Sequence, residues 1–336
     1  MSWDVRLAKN RIEIGERFAI SFQRTLRIPD DGKAYPLPPT LGVFPLRRVD
    51  DFAAHLPVQW SRPGEPPAFF IPMYQREALW LAFEAASWKP NAVKIGIGKI
   101  NALTGAAWDD GLRADPQDYL VCPHQPWLDG INSGAGVIRQ FVAMPLGEGY
   151  TVEGQLTGQE REGGLQVLVY DPHPGIFPDQ PPPPQPFEFL PGGPDSSPLW
   201  LASQGQTAPG QSAPAMGLGA GGQITQKVYP DPYGLQTWDQ ARAGRVSVYI
   251  LNSRQYQAVT GEPLPPSPVS AKTYTEAGFP WFALYDEHKS SLPAASALSS
   301  IQSVHAIDES AGKTSADDEN PISVDDSQVK GIDLGE

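Results

Sequence analysis

The chain has 336 residues, of which 40% are hydrophobic and 10% aromatic, with nine Trp, and this much apolar surface excludes disorder over most of its length. Its 37 Pro and 33 Gly exclude an architecture of long helices and favour short strands joined by tight turns. The net charge of −13 provides no electrostatic attraction to a nucleic-acid backbone or an anionic membrane surface, so neither is expected as a partner.

Phe18, Ile20, Phe22, Leu26 and Ile28 fall on alternate positions of one stretch, the period-2 pattern of a half-buried strand. Pro36, Pro38, Pro39 and Pro45 then force extended or turning chain up to Val49–Leu56, a short amphipathic segment that suits two helical turns. Ala68–Met73 reads as a buried strand. Gln75–Ala86, rich in Leu, Ala, Glu and Phe, predicts the one substantial helix, packed on the sheet. Val93, Ile95 and Ile97 alternate with Lys94, Gly96 and Gly98 in a further strand. Asp118–Cys122, Val137–Met144 and Leu165–Tyr170 follow as strands, antiparallel because no crossover helix separates them.

Residues 174–214 are dense in Pro, Gly, Ser and Gln, a composition that cannot pack a core and reads as a flexible insertion. Beyond it, Gly222–Tyr229 and Arg245–Leu251 predict strands, and Ser253–Thr260 a short helix with Ser253 as N-cap and Gly261 past its end. Trp281–Tyr285 is a last strand and Ala294–Val304 an amphipathic helix. From 306 onward nine acidic residues face only Lys313 and Lys330, which predicts a disordered acidic tail. The piece from 215 to 290 offers about three strands, too few for an independent sandwich. The expected fold is therefore mainly β, an antiparallel sandwich- or barrel-like sheet with a few short helices. It forms one domain over 1–305, interrupted by the Pro-rich insertion.

The densest block of unusual residues runs from Pro126 to Gly158. It combines an exposed-looking turn at Trp127 and Asp129, a strand bearing Arg139 and Gln140, and a Gly-flanked turn leading to Glu153. These five residues suit a ligand-facing edge with an aromatic platform and polar groups. Arg139 and Glu153 equally suit a cross-strand ion pair. Cys122 and His124 stand two apart at a strand end and offer an alternative catalytic pair, although nothing in their spacing brings a base to the thiol. None of the five His lies within four residues of another, and the loop WDDGLRADPQD lacks the oxygen spacing of a calcium site, so no metal is expected. Gly96–Lys99 lacks the order of a phosphate loop and GLGAGG at 217–222 leads into a strand instead of a helix, so no cofactor is expected either.

The polyproline run Pro181–Pro184, continued by Pro186, populates an extended helix of the kind aromatic grooves recognise, which makes the Pro-rich loop or the acidic tail a possible contact for a protein partner. Cys122 is the single cysteine, the start MSWDVRLAK has no apolar stretch of the secretory kind, and no window approaches 18 apolar residues. A cytoplasmic protein without a transmembrane segment is expected.

The strings IRQFVAMPLGEGYTVEGQLTG, MGLGAGGQITQKVYPDPYG and GFPWFALYDE resemble an uncharacterised protein family over roughly Met1 to Val304. The resemblance implies no activity. Some of the relatives carry the label of integral membrane proteins, from which this sequence departs by having no spanning segment. Function itself is not readable from these residues. The expectation they support is a non-enzymatic, soluble binding or assembly protein. The alternatives are a hydrolase-type enzyme using Cys122 or a carboxylate pair such as Asp129 and Glu153, and a peripheral membrane-associated protein.

Overall fold

The computed structural model describes residues 3–183, 215–284, 289–314 and 320–332. In chain order the first strands are β1 (Val5–Ala8), β2 (Arg11–Ile14), β3 (Phe18–Thr25), β4 (Ala34–Tyr35), β5 (Arg47–Arg48), β6 (Ala68–Met73), β7 (Ala78–Ala85) and β8 (Asn91–Ile97). There follow β9 (Ile100–Asn101), β10 (Leu120–Cys122), β11 (Trp127–Leu128), β12 (Gly130–Gly134), β13 (Val137–Pro145), helix α1 (Val152–Thr157) and β14 (Leu165–Tyr170). After the insertion come β15 (Ala215–Thr225), β16 (Gly244–Asn252), α2 (Ser253–Thr260), α3 (Ala271–Glu276), β17 (Trp281–Leu284), α4 (Ser296–Ser299), α5 (Val304–Ser310) and β18 (Val329–Ile332).

The mainly β expectation holds. One large sheet runs in the order β1-β2-β3-β7-β13-β15-β16-β14-β8-β10, antiparallel at every step of that path. Two parallel additions, β6 on β16 and β4 on β15, extend it sideways. Strands β15 and β16, which follow the insertion, lie between β13 and β14, which precede it, so both parts of the chain build the same sheet. Ile12, Phe22, Leu81, Ile95, Phe141, Val167 and Val248 come from strands spread along this path yet belong to one apolar cluster, so the sheet curls about a common core.

The expected helix over Gln75–Ala86 is a correction, because Ala78–Ala85 is β7. Leu79, Leu81 and Phe83 are buried, while Trp80, Ala82 and Glu84 face the other way, which is period 2 and not 3.6. Helical propensity loses here to pairing: all eight residues register with β3, from Phe18↔Ala85 to Thr25↔Ala78. Val49–Leu56 makes a tight 3-10 helix over Asp50–His55 instead of two α-turns. The strand expected at Gly222–Tyr229 starts earlier, at Ala215, and takes in the glycine run. Those glycines serve close approach: a Cβ on Gly222 would lie 2.2 Å from the Pro29 carbonyl oxygen, and one on Gly219 2.8 Å from that of Tyr150.

Helix α2 is capped by Asn252, whose side chain accepts from the Arg254 N–H, and not by Ser253; Gly261 ends it in the left-handed region at φ 72°. The expected helix Ala294–Val304 is replaced by two shorter ones, α4 and α5. The acidic segment beyond 306 differs from the expected disordered tail over its described residues. There Asp308 is buried against Arg76 (2.6 Å) and the Tyr150 hydroxyl (2.6 Å), Ile322 joins the core, and β18 pairs in parallel with β17. Residues 184–214, including the end of the polyproline run, and Tyr285 of the expected last strand lie outside the described residues.

Candidate functional site

The register of two neighbouring strands assembles the candidate site. Trp127 pairs with Ala82 and Leu128 with Leu81 across β11 and β7, so continuing by one residue places Asp129 opposite Trp80. Side chains two apart on a strand share a face, which sets Trp127 and Asp129 beside Trp80 and leaves the small Ala82 opposite Trp127. The space between them is a cleft of about 190 Å³. Its other walls are the Leu37–Thr40 segment, Phe282 of β17 and Ile332 of β18. The proline-containing wall is held by reciprocal backbone bonds, Leu37 N–H to the Phe282 carbonyl (2.8 Å) and Phe282 N–H to the Leu37 carbonyl (3.0 Å).

Asp129 is 2% exposed and is the only ionisable side chain among the described residues of the lining. Gln226, equally buried, clamps it from behind: the Asp129 N–H donates to Gln226 Oε1 (3.0 Å) and Gln226 Nε2 donates to Asp129 Oδ2 (2.7 Å). Burial pushes the carboxyl up to about 7, the amide of Gln226 opposing that rise only in part. On the facing strand the Trp80 indole Nε1–H is shielded from solvent and has no hydrogen-bond partner among the described residues. A largely apolar cleft thus has a buried carboxyl in its wall, and the Trp80 indole N–H behind its surface lacks a partner among the described residues, each at a cost in free energy.

The other residues singled out in the sequence go elsewhere. Gln140 is fully buried and grips the backbone just beyond β3, accepting from Ile28 N–H (2.9 Å) and donating to the Leu26 carbonyl (2.8 Å). Arg139 pairs with Asp30 at 3.2 Å and not with Glu153. Glu153 sits in α1, where its carboxylate accepts the N–H groups of Arg161, Glu162 and Gly163 at 2.8 to 2.9 Å and shapes that loop. The expected cross-strand pair is therefore absent, because residues 152–157 form a helix and not a strand. Of the five proposed ligand-facing residues, only Trp127 and Asp129 come together, and both are more buried than the exposed turn expected of them.

Cys122 is completely buried, its Sγ facing the Gln125 carbonyl at 3.3 Å, and burial pushes the thiol well up from its ordinary value. His124 lies against the Tyr229 ring, with 5.4 Å between centroids. The carboxylates of Asp129 and Glu153 are occupied by unrelated partners. Among the described residues no group of three or more His, Cys, Asp and Glu is arranged to hold a metal ion, and no helix is long and apolar enough to cross a membrane.

Two larger hollows, of about 290 and 440 Å³, lie where β2, β3 and β7 meet the surface, and Arg11, which lines both, is paired with Glu13 and Glu84. The buried Lys94 is likewise satisfied by Asp109 and Asp118, both at 2.8 Å. Trp80 in the wall of the cleft and Gln226 behind Asp129 are two residues that sequence reasoning missed. The alternation Leu79-Trp80-Leu81-Ala82-Phe83-Glu84 carried the signal for the first, and nothing local marks the second. No family model, curated protein or solved structure matches the chain.

Proposed function

We propose that the protein is a non-enzymatic binding protein and that the cleft between Trp80, Trp127 and Asp129 is where it takes a small ligand. The observation that carries this reading is the buried Asp129 carboxyl at the wall of an otherwise apolar, aromatic-lined space. A volume near 190 Å³ suits a fragment-sized molecule. The hydrolase reading has less support, because the thiol of Cys122 is sealed in the core and has no base beside it among its hydrogen-bond contacts. A cytoplasmic setting goes with this reading: the single cysteine is free and buried, so the fold draws on no oxidising compartment.

The test is a panel of fragment-sized amphiphiles followed by intrinsic Trp fluorescence and by thermal shift, on the wild type and on Trp127→Ala. Binding that perturbs the fluorescence, raises the melting temperature and is lost in the variant supports the reading. Fragments that bind equally well to Trp127→Ala overturn it.

A further inference from the structure

Which ligand chemistry the cleft selects follows from what lines it. An anion would meet the Asp129 carboxylate with no Lys, Arg or His among the described residues of the lining to compensate. A purely apolar molecule would fill the space but leave the buried Asp129 carboxyl without a counter-charge. A cation meets the opposite situation. Three aromatic side chains, Trp80, Trp127 and Phe282, stand around the one carboxyl, and aromatic rings present a negative face to a positive charge. The chain's net charge of −13 further favours the approach of cations over anions.

Building on the binding function proposed above, we propose that the cleft takes a small alkylammonium ion. In that arrangement the aromatic walls surround the alkylated nitrogen and Asp129 is its counter-ion. Gln226 is a positioning residue: it holds Asp129 through both the backbone N–H and Oδ2. The ligand-free carboxyl, held near 7 by burial, gives up its proton when the cation arrives, so binding below that pH is coupled to proton release. Among the described residues no other titratable side chain lines the cleft, and Asp129 accounts for one proton.

Two probes of matched shape separate charge from volume: choline, and its neutral isostere 3,3-dimethyl-1-butanol. Isothermal titration of the full chain at pH 8 is expected to show choline binding at least about tenfold tighter than the alcohol, a difference of about 1.4 kcal/mol. That preference shrinks at pH 6, where Asp129 is mostly protonated, and collapses in Asp129→Asn. The comparison of the two pH values uses the wild type alone and stands even if the variant folds poorly. If the alcohol binds as tightly as choline at pH 8, the cation inference is overturned while the cleft remains a binding site. If neither probe binds up to millimolar concentration, the inference is also overturned, and the fragment panel on Trp127→Ala decides the underlying reading separately.

Discussion

Burial deprives Asp129 of its usual acidity, and that has a consequence for stability that does not depend on any ligand. Its carboxyl titrates near 3.8 when exposed and near 7 in the fold, so between those values the folded state holds a proton that the unfolded state has released. The resulting stabilisation is fully present below about pH 4 and is lost as pH rises through about 7, an effect of up to roughly 4 kcal/mol. Asp129→Asn keeps an acceptor for Gln226 Nε2 and removes the ionisation. Urea denaturation at pH 5 and pH 8 is expected to show the wild type losing several kcal/mol relative to the variant over that interval. Parallel profiles would mean that Asp129 ionises freely in the fold. The charge that is hard to bury is also the charge a cation would recover, so one residue links the cost to the proposed use.

At the scale of elements, β3 and β7 are joined by more than their ladder. Arg24 of β3 and Glu77, just ahead of β7, form a buried pair: Arg24 Nε and Nη2 donate to Glu77 Oε1 at 2.8 and 2.7 Å, while Tyr74 N–H donates to Oε2 at 2.9 Å. Burial raises the Glu77 carboxyl and Arg24 works against that rise. Arg24→Ala strands a carboxylate that is 2% exposed, with an expected loss of about 3–5 kcal/mol in chemical denaturation. A loss below about 1 kcal/mol would show that Glu77 is solvated or neutral in the fold. The N-terminus of α2 is a milder case: Asn252→Ala removes one cap and is expected to cost about 1 kcal/mol.

The same elements show what the sequence could and could not convey. Strands such as Phe18–Thr25, Asn91–Ile97 and Leu165–Tyr170 were legible because their apolar positions alternate or run continuously between turn residues. β7 was not, because Ala, Leu and Glu favour a helix locally and only partners distant in sequence, β3, β11 and β13, hold it extended. That misreading hid Trp80. Trp127 and Asp129 were recognisable as unusual, whereas Gln226 lies 97 residues beyond Asp129 and reaches it only through folding. Arg139, Gln140 and Glu153 looked functional because buried polar groups and ligand-binding groups share a vocabulary. Their partners turned out to be backbone and Asp30.

For the whole molecule, the placement of β15 and β16 between β13 and β14 makes the parts before and after the insertion interdependent, since neither keeps its sheet alone. Unfolding is therefore expected as one transition, with calorimetric and van't Hoff enthalpies equal; two resolved transitions would contradict a shared core. The cleft draws on that same interdependence, since its walls come from β7, β17, β18 and the Leu37–Thr40 segment. The measurement that bears most directly on its role is the indole N–H spectrum of the nine Trp, with the Trp80 signal assigned by Trp80→Phe and followed during a choline titration. The Trp80 and Trp127 resonances are expected to move together in a saturable manner while the buried Trp238 and Trp281 stay in place. Saturable binding of choline that leaves Trp80 and Trp127 unmoved would place the ligand elsewhere and contradict this assignment.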